Sequence, residues 1–181
     1  MSIYTKTGDK GVTSLFSGER VGKSAKIFDI LGSLDEINSS LGFSSGIKYK
    51  RVREILVTVQ NDLFYIGSLI CNTKAKTAQF KEFDKKTIYL EKCIDEVDSK
   101  LPKLVNFILP SGTDDAVKSH ISRAVCRRAE RLLVGYIKSD KSKKFESVAR
   151  YLNRLSDLLF VLSRYMNFKS REKKIIWKVN P

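Results

Sequence analysis

The chain has 181 residues, with 34 Lys+Arg against 20 Asp+Glu, so its formal charge is 34 − 20 = +14. That length suits one domain with a full core, and 42% apolar with 10% aromatic residues excludes a disordered chain. No apolar run approaches the roughly 18–20 residues of a membrane span, and Met1 leads directly into polar, charged sequence without a signal-peptide pattern.

Cys71, Cys93 and Cys126 form no C-x-x-C and are odd in number, which argues against a disulfide scaffold or a zinc cluster and fits a reducing cytoplasm. The single histidine, His120, excludes a His-His metal site within one chain, and no residue is assigned as a metal ligand. No G-x-G-x-x-G occurs. The positive excess favours anionic partners, but it is spread over 48–53, 74–86, 138–144 and 169–178. It reads as a lysine-rich solvated surface, and without a recognised motif no nucleic-acid partner is expected.

Residues 1–32 are rich in Gly, Thr, Ser and Lys and read as an ordered loop segment. Within them, Thr5 to Ser14 combine glycines for close backbone approach, hydroxyls that donate to phosphate oxygens, and lysine charge. A phosphate-binding loop and an ordinary turn-rich terminus both fit. Gly22-Lys23-Ser24 is not a P-loop, because Ser17 stands where the first Walker glycine belongs.

Ser33 with Glu36 forms a capping-box pattern and predicts a helix from there to about Gly46. Val52, Ile55, Leu56, Val59, Leu63, Ile66 and Ile70 predict a second helix over 49–71. Asp84 is the expected cap of a third, with Ile88, Ile94, Val97 and Leu101 on related faces. A connector follows between Pro102 and Pro110 and carries Phe107-Ile108-Leu109. Thr113 then caps a fourth helix reaching about Lys138. Lys141–Lys144 read as a charged turn, and a fifth helix carries Phe145, Val148, Leu152, Leu155, Leu159, Leu162 and Met166. The only strand pattern is Ile175–Val179. The expected fold is an all-α five-helix bundle: one domain over 1–181, with an N-terminal segment (1–32), a helical bundle (33–168) and a basic tail (169–181).

On the fourth helix, Val117, Ile121, Ala124, Val125 and Leu132 make the expected apolar stripe. Arg128 projects into that stripe, where a buried guanidinium would need a carboxylate, and so reads as structural. Arg123, Arg127 and Arg131 recur every four residues on another face. They read as an anion-seeking row or as an exposed basic row with Glu130 as local partner. On the fifth helix Asn153, Asp157 and Arg164 share a polar side with Ser156 and Phe160. That side is ordinary surface or faces a ligand or a second subunit.

Five blocks carry more than composition. Ile3 to Gly11 with Ser14 to Val21, Asp35 to Gly42, Phe107 to Gly112, Val125 to Arg131 and Tyr151 to Phe160 stand in order across the chain. Together they resemble the signature segments of the PduO-type ATP:cob(I)alamin adenosyltransferases. The resemblance implies a homotrimer with sites between subunits, transferring the 5′-deoxyadenosyl group of ATP to the cobalt of cob(I)alamin. It implies that Thr5, Thr7, Gly8, Asp9, Thr13, Ser14 and Lys23 line the ATP site, with Lys23 and Arg127 on the phosphates and Mg²⁺ riding on the triphosphate. Asn153 would hold the nucleoside, and Glu130 would orient Arg127 or its neighbours. Asp35 would pair with Arg123 of another subunit, and Phe107 would cover the lower axial face of cobalt. A reductase and an adenosylcobalamin-dependent enzyme are the further partners it suggests. Two rivals remain at this stage: a nucleic-acid-binding helical protein, and a corrinoid carrier of the same fold.

Overall fold

The computed structural model describes residue 4, residues 6–140 and residues 143–178. Thr5 of the N-terminal candidates lies outside them, as do Lys141 and Ser142 of the expected charged turn and Val179 of the expected strand.

The N-terminal segment is a β-hairpin rather than a loop throughout. β1 (Val12–Ser14) pairs antiparallel with β2 (Arg20–Gly22), with Thr13 opposite Val21. Gly11 and Gly18 take φ of 75° and 86°, the left-handed region where a Cβ is costly, and so close the turns on either side of β1. The pairing escaped sequence reading because three-residue strands give no measurable alternation.

Five α-helices follow among the described residues: α1 (Lys26–Ser40), α2 (Lys50–Ile70), α3 (Thr77–Asp98), α4 (Asp114–Asp140) and α5 (Glu146–Lys169). α1 begins at Lys26, seven residues before the predicted cap. Ser33 is buried inside the helix, and Glu36 reaches across to Arg128 instead of back to a cap. α2 lies within one residue of its predicted bounds. α3 begins at Thr77, where the Gln79 side chain accepts the Lys76 N–H at 2.9 Å; Asp84 lies within the helix and pairs with Arg150. Thr113 caps α4 as expected, its Oγ1 accepting the Ala116 N–H.

Side-chain bonds give the helix directions. Ser40 meets Ser122 and Glu36 meets Arg128, so α1 and α4 run antiparallel. Ser119 donates to Leu159 O and Cys126 to Leu152 O, so α4 and α5 are antiparallel as well. Asp84, Glu91 and Asp98 meet Arg150, Arg154 and Arg164 in turn, so α3 runs parallel to α5. The core between them is apolar, centred on Ile55, Leu56, Phe80, Phe83, Leu152 and Leu159.

Two helices bury the expected faces in part: Val125 on α4 and Val97 on α3 are buried, and Leu132, Ile94 and Leu101 pack partly buried against the core, while other positions differ. α4 turns Ala116, Ser119, Ser122, Cys126, Ala129 and Leu133 inward, while Ile121 stays 55% exposed. Small side chains let α4 approach α1 and α5 closely, and the hydroxyls bond to backbone carbonyls, so size misled the reading of the stripe. Arg128 accordingly lies on the surface, paired with Glu36, and not in the core. On α3, Phe80, Phe83, Leu90 and Cys93 are buried and Ile88 is exposed. On α5 the apolar face is as expected, except that Ser156 is buried too, satisfied by Asn153 O.

Candidate functional site

The hairpin gathers most of the N-terminal candidates. Gly11 N–H donates to Gly8 O, and Lys23 N–H donates to Gly11 O at 2.8 Å, which folds the 8–11 turn against the end of β2. The Lys23 Nζ then lies beside Gly8: a Cβ there would meet it at 3.1 Å. Arg20 ties the turn from the other side through Thr7 O at 3.0 Å. Asp9 and Ser14 are exposed and Thr13 half-buried. The result is a turn with backbone N–H groups, hydroxyls and an ammonium on one short stretch, the chemistry an oligophosphate needs.

Beyond the hairpin a cleft of about 510 Å³ opens between α1 and α2, where Ser14, Phe16, Asp35, Asn38 and Phe64 meet. Asp35 is exposed there, and among the described residues it belongs to no ion pair. Asn38 is buried with its side-chain oxygen unpartnered among the described residues.

The arginine row lies on the outward side of α4. Arg127 and Arg131 are exposed and Arg123 half-buried, with its Nε buried and unpartnered among the described residues. Burial, then the charge of Arg127, pushes the Arg123 guanidinium below its ordinary range. A cation destabilised by its surroundings and by a like neighbour is poised for an anion. His120 is buried beside Arg123 and the Phe160 ring; burial, then the Arg123 charge, lowers it to about 4. Glu130 accepts the Asn153 amide N–H at 2.9 Å across the α4–α5 seam. Its recorded bond therefore goes to Asn153 and not to Arg127. Arg154 pairs with Asp157 and Glu91, and Arg164 with Asp98, so neither arginine is a free anion site.

Phe107 is 80% exposed on the connector. Its ring meets Trp177 edge-on, with centroids 6.1 Å apart. Sequence reading had no signal for Trp177, because the contact joins positions 70 residues apart. Cys71, Cys93 and Cys126 are free thiols. Among the described residues no three His, Cys, Asp or Glu side chains gather where they could hold a metal ion, and no helix is long and apolar enough to cross a membrane.

The family described as cobalamin adenosyltransferase matches residues 3–166. The chain belongs to the cobalamin adenosyltransferase family. Among curated relatives, the human corrinoid adenosyltransferase MMAB is 40% identical over 99% of this chain and 74% of its own length. A cobalamin adenosyltransferase from Cupriavidus metallidurans is 38% identical over 97% of this chain and 94% of its own. Among solved structures, a phenylalanine-to-alanine variant of the Lactobacillus reuteri PduO-type ATP:corrinoid adenosyltransferase, complexed with cobalamin and ATP, is similar with a TM-score of 0.87 and 28% identity. That match covers 98% of this chain and 100% of the other.

Proposed function

We propose that this chain is an ATP:cob(I)alamin adenosyltransferase acting at sites shared between copies of itself. The observation that carries the reading is the likeness to adenosyltransferases over 97–99% of the chain, together with a hairpin turn whose groups suit a triphosphate. Co(I) supplies the electron pair that forms the Co–C bond to C5′. The C5′–O bond breaks, and triphosphate leaves with the pair of that bond, while the cobalt pair stays in the new Co–C bond. The nucleophile is the corrinoid's own metal, so the protein needs no Ser, Cys or His nucleophile, and its work is positioning and charge stabilisation.

In this reading Thr5, Thr7, Gly8, Asp9, Thr13, Ser14 and Lys23 cradle ATP, with Lys23 and Arg127 on the phosphates. Asn153, steadied by Glu130, meets the nucleoside. Mg²⁺ would arrive on the triphosphate, where that ion ordinarily keeps several of its waters. Phe107 covers the lower face of cobalt and keeps out an axial donor. Without that donor Co(II) accepts an electron more readily.

Asp35 and the Arg123 Nε, which has no partner among the described residues, suit an ion pair between copies, Asp35 with Arg123 of the partner subunit, in a homotrimer in the cytoplasm. Mixing Asp35→Ala and Arg123→Ala proteins tests this. Shared sites predict that mixed trimers recover activity that neither variant has alone. No recovery after subunit exchange would leave each site within one chain.

A further inference from the structure

Phe107 has little cover for its ring, yet its backbone is firmly held. The Trp177 N–H donates to Phe107 O at 2.9 Å, and the Leu109 N–H donates to Ile175 O at 2.9 Å. Between these bonds Ile108 and Ile176 pair as an antiparallel bridge. In such a ladder opposite residues share a side. Ile108 and Ile176 accordingly both line one cavity, of about 410 Å³, with Leu101 and Phe168, and Phe107 and Trp177 stand together on the other side. There the two rings cross at 88°.

Both ends of the connector hang from α5. Arg164 donates to Pro102 O at 2.7 Å. One turn later the Asn167 amide donates to Ser111 O at 2.9 Å and accepts the Thr113 N–H at 3.0 Å. The Asn167 carbonyl also accepts the Glu172 N–H, which starts the tail back towards the connector. Gly112, at φ +116°, leaves the space that the Asn167 amide fills; a Cβ there would overlap it.

We infer that Trp177, carried on the tail that follows α5, is a positioning residue for Phe107. The inference rests on the reading that Phe107 covers a cobalt face. An exposed ring on a connector excludes water from a metal only if it stays in one orientation. Phe107 buries too little surface to fix its own rotamer. The Trp177 edge restricts the ring, and the two backbone bonds restrict its Cα. Core packing does not explain the pair, since Trp177 is itself 50% exposed.

The test compares Trp177→Ala, Trp177→Phe and Phe107→Ala in the full chain. Turnover is measured from cob(II)alamin with a reduced flavin as electron donor, and from pre-reduced cob(I)alamin. Amide exchange at Leu109 is followed in parallel. Trp177→Ala is expected to slow turnover from cob(II)alamin about ten-fold, with an unchanged KM for ATP and less than about two-fold loss from cob(I)alamin. Leu109 exchange should speed up about ten-fold or more as the tail releases the connector. Trp177→Phe, which keeps a ring edge, should restore both. Where Trp177→Ala does not fold, Trp177→Leu keeps apolar cover without the edge. Unaltered Leu109 exchange in Trp177→Ala overturns the hold of the tail on the connector. Faster exchange with normal cob(II)alamin turnover, while Phe107→Ala is selectively impaired, overturns the positioning role. If Phe107→Ala loses equally from both cobalt states, the reading of Phe107 itself fails, and the exchange result alone decides whether the clamp exists.

Discussion

Asn153 on α5 gives its amide N–H to Glu130 on α4 at 2.9 Å, so the donor half of the amide is committed and the oxygen remains as the acceptor. A committed amide cannot flip, and a nucleoside then meets an acceptor of fixed direction. Glu130→Ala removes that constraint without touching the phosphates. We expect the KM for ATP to rise by about 5- to 30-fold, the equivalent of one lost bond of about 1–2 kcal/mol. The kcat at saturating ATP should stay near wild type. Steady-state kinetics in ATP check this, and an unchanged KM would detach Glu130 from the nucleotide.

Arg127 is exposed on the row and adds to the positive potential that burdens Arg123. In the proposed reaction it meets the phosphate charge that grows as C5′–O breaks. Arg127→Ala should cost about 2–4 kcal/mol of transition-state stabilisation, roughly 30- to 1000-fold in kcat/KM. Its position on the surface means that the circular dichroism spectrum and Tm should hardly change. Wild-type kcat/KM for ATP in a folded Arg127→Ala protein would remove the arginine from the site.

His120 gives the fold a pH dependence of definite sign. Burial and Arg123 hold its folded value near 4, below the ordinary 6.5 of the unfolded chain. The unfolded state therefore binds a proton that the folded state refuses between about pH 6.5 and pH 4. The stability is complete above that window and is lost as pH falls through it. Asp84 and Glu96, held low chiefly by Arg150 and Arg51, lose their contributions as pH falls below their ordinary values of 3.8 and 4.5. Tm measured from pH 7.5 down to 4.5 should fall, and His120→Gln should flatten the fall. A parallel slope in the variant would contradict the assignment.

Asp62 is a buried carboxylate shared by Tyr151, whose hydroxyl donates at 2.9 Å, and by Lys86. This three-way contact links α2, α5 and α3 away from the candidate site. Burial, then the Asp62 charge, raises the Tyr151 phenol well above its usual range, so it remains a donor at any working pH. Tyr151→Phe strands one carboxylate oxygen and should cost about 1–3 kcal/mol. A shifted urea midpoint with unchanged kcat is the expected result. Loss of kcat in the folded protein would give Tyr151 a part in the reaction.

The helices that carry Arg127, Glu130 and Asn153 were legible because long amphipathic periods and the Thr113 cap are local signals. α1 was read late, since Ser33 and Glu36 imitate a cap and are used elsewhere, one buried and one against Arg128. The α4 face is only partly legible: Val125 is buried as expected, but the face turns towards Ala116, Ser119 and Cys126, which bury by being small, a property hydrophobicity does not register. Phe107 was legible as a connector residue, but its hold was not. The bonds to Trp177 and Ile175, and the Asn167 amide in the space over Gly112, join segments that only the folded chain brings together.

The central claim is a particular bond cleavage, so its products test it most directly. Anaerobic incubation with ATP, Mg²⁺ and chemically reduced cobalamin, read by absorbance for the corrinoid and by phosphorus resonance for the nucleotide fragments, measures both at once. Attack at C5′ predicts adenosylcobalamin and intact triphosphate in equal amounts. No adenosyl form, or ATP consumed to ADP or AMP without it, would contradict the account.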